Sequence, residues 1–511
     1  MQWPLGIPPR GHFVPLPPGV PIGWPRATPI VQCDIGLIGN IHSLGISLHC
    51  RQRMALMSHD LRFTRSALLQ QRAHHLIPGG AHTYAKGDDQ YPVLAPGFIE
   101  RGHGCRVWDV DGNEYIEYGM GNRAVGLGHA YRPVVDAVRE ALKDGCNFTR
   151  PARIEVECAE TLLDLIEGAE MVKFCKDGSD ATSGAVRLAR AYTGRDLVAC
   201  CADHPFFSTD DWFIGTIPVN AGVPEATRRL TVTFRYNDIA SVRQMFETHQ
   251  GQIAALIMEA ARADEPENDF LHEVQTLCRQ NGTLFILDEM ITGFRWHRGG
   301  AQREYGIVPD LSCFGKALGN GFAVSALAGK REYMRLGGLD HTDRPRVFLL
   351  STTHGAETHA LAAAMATTRT YRDEPVIEHL YRQGETLRRG LSQAAERHRI
   401  GHLVKPVGRG CCLAFTTFDE DGKPSQGLRS LFLQETIRRG VLMPSLVVSY
   451  AHDDEAIERT IEAIDGALAV YARALEDGVE RHLVGRPSQV VYRRFNTPPE
   501  SDATPAMAAS R

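Results

Sequence analysis

Short apolar runs without polar alternation recur through the middle of the chain: Met171–Cys175, Leu197–Cys201, Leu230–Phe234, Ile253–Met258, Thr283–Leu287 and Ala323–Ala328. Runs of this length and uniformity predict strands buried on both faces. Between them, Ala181–Tyr192, Ile239–Thr248 and Asp269–Gln280 carry apolar residues at helical spacing. Strands separated by helices predict an α/β fold built on a mainly parallel sheet with helices on both faces. Further on, a helix over Val376–Arg397 leads into Leu403–Phe418 and an amphipathic helix over Asp454–Asp477, the make-up of a smaller α+β domain.

The ends read differently. Pro4, Pro8, Pro9, Pro15, Pro17, Pro18, Pro21, Pro25 and Pro29 interrupt any regular element in residues 1–53. Met54 and Met57 precede a helical stretch, Leu61–His75, and the functional protein is expected to begin there. The alternative is an ordered arm that wraps a partner subunit. The expected organisation is a Pro-rich, disordered extension over 1–53 and an N-terminal segment of the small domain or dimer arm over 54–104. A large domain follows over 105–370, a small α+β domain over 371–478 and a polar tail over 479–511.

Composition narrows the function classes. A net charge of −5, without a dense Lys/Arg cluster, gives no footprint for nucleic acid. No apolar run approaches the length that spans a bilayer, so no membrane partner is expected. The 12 cysteines form no CxxC pair and no metal spacing, and several lie in apolar runs. This predicts no metal site and a reducing, cytoplasmic setting.

Three segments carry candidate chemistry. Thr283-Leu-Phe-Ile-Leu-Asp288-Glu289 ends a buried run on two acids, at the sheet edge where open α/β folds bind ligands. Asp288 there either caps the next helix or holds a buried cation. Phe314-Gly-Lys316-Ala-Leu-Gly-Asn-Gly321 sets a lysine among glycines after another apolar run, Leu311–Phe314. An enclosed lysine is biased toward the neutral amine that attacks carbonyls, while a surface loop would leave it an ordinary cation. Lys176-Asp-Gly178-Ser179-Asp180 opens a helix and suits an anion such as phosphate, or is an ordinary turn capped by Ser179 or Asp180. Glycine fingerprints for nucleotides fail at Gly119, Gly408 and Gly329.

In this order the segments resemble the class-III (fold type I) pyridoxal-5′-phosphate (PLP) aminotransferases, nearest their glutamate-1-semialdehyde 2,1-aminomutase branch. Leu287-Asp-Glu-Met-Ile-Thr-Gly-Phe-Arg295, Gly299-Gly-Ala-Gln302, Pro309-Asp-Leu311, Trp108-Asp-Val-Asp-Gly112, Leu127-Gly-His129 and Arg187-Leu-Ala-Arg-Ala-Tyr-Thr-Gly-Arg195 match as well. The resemblance covers about Leu61 to Asp477. It implies a large domain with a seven-stranded type of sheet and PLP held as a Schiff base on Lys316. Asp288 would hold the pyridine nitrogen, with Gly178 and Ser179 on the phosphate. It further implies Glu259 near the cofactor and Thr353 reaching the phosphate of a neighbouring subunit, hence a homodimer with a shared phosphate site. The substrate would be a small amino or carbonyl compound, shuttled by intramolecular amino transfer. The alternatives are intermolecular transfer between an amine or amino sugar and a keto acceptor, or a catalytically silent binding protein.

Three departures concern the ring and the substrate. Ala202-Asp-His-Pro-Phe-Phe207 stands where the family has Tyr-His-Gly, leaving His204 or Phe206 to stack on the ring. Thr83 and Lys86 occupy the positions of a serine and an arginine that hold the substrate carboxylate. Glu357 replaces an asparagine.

Overall fold

The computed structural model describes residues 61–493. The expectations for residues 1–53 and for the end of the polar tail lie outside them. In chain order the strands are β1 (Ile99–His103), β2 (Arg106–Asp109), β3 (Glu114–Glu117), β4 (Met171–Cys175), β5 (Leu197–Cys201), β6 (Thr231–Phe234) and β7 (Ile253–Met258). Then come β8 (Leu284–Asp288), β9 (Leu311–Phe314), β10 (Ser325–Gly329), β11 (Pro406–Val407), β12 (Ala414–Phe415) and β13 (Val441–Leu442).

The central sheet has seven strands in the order β4-β10-β9-β8-β7-β5-β6. β7, β8, β9 and β10 are buried at every position, as uniform apolar runs require when helices cover both faces. From β9 through β6 the pairing is parallel; β10 alone runs against both its neighbours, β9 and β4. Register places Ser325 opposite Cys175 and Ala326 opposite Phe314, so β10 begins where β4 and β9 end. All three termini therefore share one edge of the sheet.

Two predicted boundaries shift with consequence. β8 starts one residue later than the apolar run and includes Asp288 as its final residue. The helix expected over Ala181–Tyr192 runs Gly178–Thr193, because Asp177 caps it, accepting the Asp180 N–H at 3.0 Å. The cap is thus Asp177, not Ser179 or Asp180, which moves Gly178 and Ser179 into the first turn. The helices Val376–Arg397 and Asp454–Asp477 fall where the periodicity puts them.

A second sheet, β1-β2-β3-β13, joins residues near 100–117 to Val441–Leu442, and the expected division at residue 370 falls inside the helix Thr358–Asp373. The polar stretch after Val479 is docked as far as it is described. Gln489 N–H bonds Asp89 O at 2.8 Å, and Ser488 Oγ meets Ser430 Oγ at 2.9 Å. The described cysteines are free thiols, no helix among the described residues is long and apolar enough to cross a membrane, and they hold no metal-ligating cluster.

Candidate active site

Asp288 and Glu289 share a strand end but not an environment. Glu289 is fully buried and turned into the following loop, where Ala301 N–H (2.9 Å), Gln302 N–H (2.8 Å) and the Thr292 hydroxyl all donate to it. Asp288, 2% exposed, receives one backbone N–H, from Met290 at 2.9 Å. Burial raises its pKa, the nearby Glu259 charge raises it further, and the Lys316 ammonium pulls the other way. A sparsely bonded buried carboxylate of this kind is poised to take a cationic partner.

Lys316 comes from the adjacent strand, β9, two residues past its end. Gly315 is fully extended (φ −177°), so its backbone angle would suit any residue. Space is what demands glycine: a Cβ there would collide with Ser325 Oγ and come within 2.6 Å of Met290 Sδ. Lys316 itself adopts a left-handed conformation (φ 46°), an uncommon and costly one for a side chain of this size, of the kind that collects at functional sites. Burial lowers its pKa, against the opposing pull of Asp288 and Glu259, which favours the free amine. The loop is tied down behind it by Asn320, whose Oδ1 accepts from Leu127 N–H (2.9 Å) and whose Nδ2 donates to Gly128 O (3.1 Å). Nothing in the sequence singled out Asn320 for this role.

Gly178 and Ser179 open the helix after β4, where their N–H groups have no intrahelical acceptor. Ser179 Oγ accepts the Thr209 N–H at 3.0 Å. A Cβ on Gly178 would lie 2.9 Å from Met290 Sδ, so one methionine packs against both the helix start and the lysine loop.

Of the two candidate ring-stacking residues, only His204 is enclosed. Its Nδ1 accepts the Glu259 N–H at 3.2 Å, and its ring lies 4.9 Å from that of Tyr236. Burial, with a smaller push from Arg262, takes its pKa down to about 3, so it is a neutral ring at working pH. Phe206 is 39% exposed and sets its edge on Phe213. Glu259 is buried at the end of β7, 3.1 Å from Arg262 Nη1, and its Oε2 lacks a well-directed hydrogen bond.

The residues expected to meet substrate do not gather in one place. Thr83 and Lys86 belong to an exposed turn. Lys86 lines a cavity of about 380 Å³ with His129, Asn320 and Gly321, and Thr83 lines neither this cavity nor the one described next. Glu357 instead pairs with Lys176 Nζ at 2.6 Å and with His354, beside the helix start. Thr353 is exposed, and its carbonyl accepts Asn147 Nδ2 at 3.1 Å.

A second cavity, about 320 Å³, is bounded by His204, Tyr236, Trp296, Ile291 and two arginines, Arg123 and Arg262. Arg123 ends four consecutive left-handed residues, Met120, Gly121, Asn122 and Arg123 (φ 42–70°). Each such non-glycine residue costs about 1–2 kcal/mol. Its carbonyl accepts from Nη2 of Arg295, which is fully buried and whose Nε and Nη1 have no hydrogen-bond partner among the described residues. Sequence reasoning missed both cavity arginines. The Gly-Asn dipeptide, tolerant of positive φ, was the available signal for the turn.

A family model described as aminotransferase class-III matches residues 84–202 and 211–464. The glutamate-1-semialdehyde 2,1-aminomutase 2 of Brevibacillus brevis is 34% identical over 432 residues, 78% of this chain and 97% of its own length. Among solved structures, the PLP internal aldimine form of the FumI protein of Sphingopyxis sp. MTA144 superposes with a TM-score of 0.74 at 30% identity, covering 83% of this chain and 99% of that one. An omega-transaminase from Sphaerobacter thermophilus superposes at 0.71 with 26% identity, covering 80% and 98%.

Proposed function

The chain belongs to the class-III aminotransferases and is a PLP-dependent enzyme of fold type I; from that premise we propose that it catalyses amino-group transfer of the glutamate-1-semialdehyde 2,1-aminomutase type. The observation that carries the proposal is the pair Asp288 and Lys316, delivered by adjacent parallel strands into mutual electrostatic reach.

The residues present fit PLP. Asp288 is a buried carboxylate with one hydrogen bond, suited to a protonated pyridine nitrogen. Lys316 is a buried amine biased to neutrality, suited to an aldehyde. Gly178 and Ser179 offer first-turn N–H groups to a phosphate. His204 offers a neutral ring, and between the two candidates its enclosure supports it over Phe206. Bound PLP supplies the electron sink that allows an amino group to leave one carbon and settle on another.

In this reading Lys316 Nζ would hold the cofactor and then carry a proton between the reacting carbon of the substrate and the cofactor. Asp288 keeps the pyridine nitrogen protonated throughout. The exposed Thr353, with Phe348 70% exposed just before it, suits a homodimer in which each copy completes the other's phosphate site. A cytoplasmic setting accords with the free thiols. The likeness to an omega-transaminase, and Lys86 in place of arginine, favour intermolecular transfer as the second reading.

The test is a product assay with glutamate-1-semialdehyde alone, then with amino donor and keto acceptor pairs, alongside borohydride reduction and peptide mapping. Turnover of the semialdehyde without a second substrate, with label on Lys316, is expected. Turnover only with donor–acceptor pairs selects the second reading, and label on Lys176, Lys330 or Lys86 refutes the assignment of Lys316.

A further inference from the structure

The cavity beside His204 carries two guanidinium groups, Arg123 and Arg262, that the cofactor roles leave unassigned. They reach it from different segments: Arg123 from the left-handed turn, Arg262 from the loop three residues beyond Glu259. Arg262 is partly neutralised by Glu259, 3.1 Å away. Among the described residues, no acidic side chain lies within ion-pairing distance of Arg123. Two carboxylates also border the cavity. Asp203 is engaged by Arg235 and by the Tyr236 N–H, both at 2.8 Å, and Asp264 is exposed.

The placement of Arg123 is enforced. Its turn adopts a sparsely populated conformation, and its carbonyl is held from below by the buried Arg295. Strain of this sort, together with a buried cation lacking partners for two of its nitrogens, persists where the surroundings over-determine a position. The group so positioned is a planar fork matched to a carboxylate.

We propose that Arg123 and Arg262 together grip a substrate carboxylate remote from the carbons that exchange the amino group. The enzyme then selects amino and carbonyl compounds with a distal acid. This rests on the amino-transfer reading above and assigns its specificity to residues of this chain. Lys86, at the family's carboxylate-gripping position, lines a different cavity and does not share in the clamp. An incoming carboxylate meets Arg123, unpaired by any acid among the described residues, and Arg262 with N–H groups beyond the one facing Glu259.

The experiment uses the holoenzyme and its Arg123→Gln, Arg123→Lys and Arg262→Gln variants. Two aldehydes are compared, glutamate-1-semialdehyde and 2-aminopentanal, which has the same chain without the acid. Calorimetry with glutarate, an unreactive dicarboxylate, gives a readout independent of turnover. Losing one charge-assisted contact should lower kcat/KM for the semialdehyde by about 10- to 100-fold, mostly through KM. The acid-free aldehyde should stay within about threefold, and glutarate should weaken by the same factor as the semialdehyde. Arg123→Lys, a point charge in place of a fork, should fall between. Arg262→Gln leaves Glu259 without its cation, so Arg123→Gln is the deciding variant, its folding checked by PLP content. Equal losses on both aldehydes, or unchanged glutarate binding, overturn the proposal. If the wild type converts neither aldehyde, the aminomutase-type reading fails, and glutarate still decides the clamp. Binding lost in Arg123→Gln supports it, and no binding by the wild type refutes it.

Discussion

Replacing Gly315 with alanine probes the packing that places Lys316. The backbone at Gly315 is extended, so alanine carries no conformational penalty there, and the whole effect comes from one added methyl group. That group would strike Ser325 Oγ and sit 2.6 Å from Met290 Sδ, against an ordinary contact of about 3.5–4 Å. Met290 ends in a flexible thioether, but its backbone N–H is committed to Asp288. Ser325 is 2% exposed and its backbone is fixed by pairing with Cys175. Relief therefore falls on the Gly315–Lys316 peptide. Overpacking of this kind costs about 1–3 kcal/mol, and a displacement approaching 1 Å at the lysine costs on the order of 10² in rate. Thermal unfolding and kcat are to be measured for Gly315→Ala, Ser325→Ala and the double variant. Ser325→Ala removes the oxygen that clashes, so the double variant should recover a substantial part of both losses. A stable, active Gly315→Ala enzyme, or a double variant no better than the single one, would refute the account.

Asp288→Asn should bind PLP and lose roughly 10²–10³ in kcat, because an amide cannot stabilise the pyridinium charge; near-wild-type turnover removes the assigned role. Acid should destabilise the fold through His204 and His452, both pushed down to about 3 by burial. The unfolded chain binds these protons from about pH 6.5 downward while the folded one does not, so stability is full above that range and falls as pH drops. By pH 5 each histidine contributes a loss of about 2 kcal/mol. His452→Gln should melt with a shallower pH dependence between pH 7 and 5, and an identical slope would count against the buried neutral imidazole.

The central sheet was legible because its strands are uniform apolar runs, which only a doubly covered sheet accommodates. The direction of β10 was not, since Ser325–Gly329 is buried at every position and such a run carries no mark of its direction. Asp288, Lys316 and Gly178 could be singled out as candidates because each follows directly on such a run, and strand ends are where this architecture gathers chemistry. For Glu357, the resemblance alone placed it in a substrate segment, and only tertiary contact reveals its pairing with Lys176. Arg123 escaped notice because its importance lies in a backbone conformation that residues 120–123 do not announce, and in Arg295, which is 172 positions away along the chain.

The reversed strand has a consequence for evolution of the site. Because β10 begins between the ends of β4 and β9, the helix start at Gly178 and the Lys316 loop are held two strand spacings apart, roughly 10 Å. Asp288, on β8, adds a third interval. The sheet thus works as a caliper whose graduations are hydrogen-bonded strands, with Gly178 and Lys316 set only two or three residues beyond the strand ends. Loops around the cavity can lengthen, shorten or exchange their charges, changing what is gripped, while the gauge for the cofactor stays unaltered. Substrate preference can drift freely in such a scaffold; the span between the helix start and Lys316 cannot.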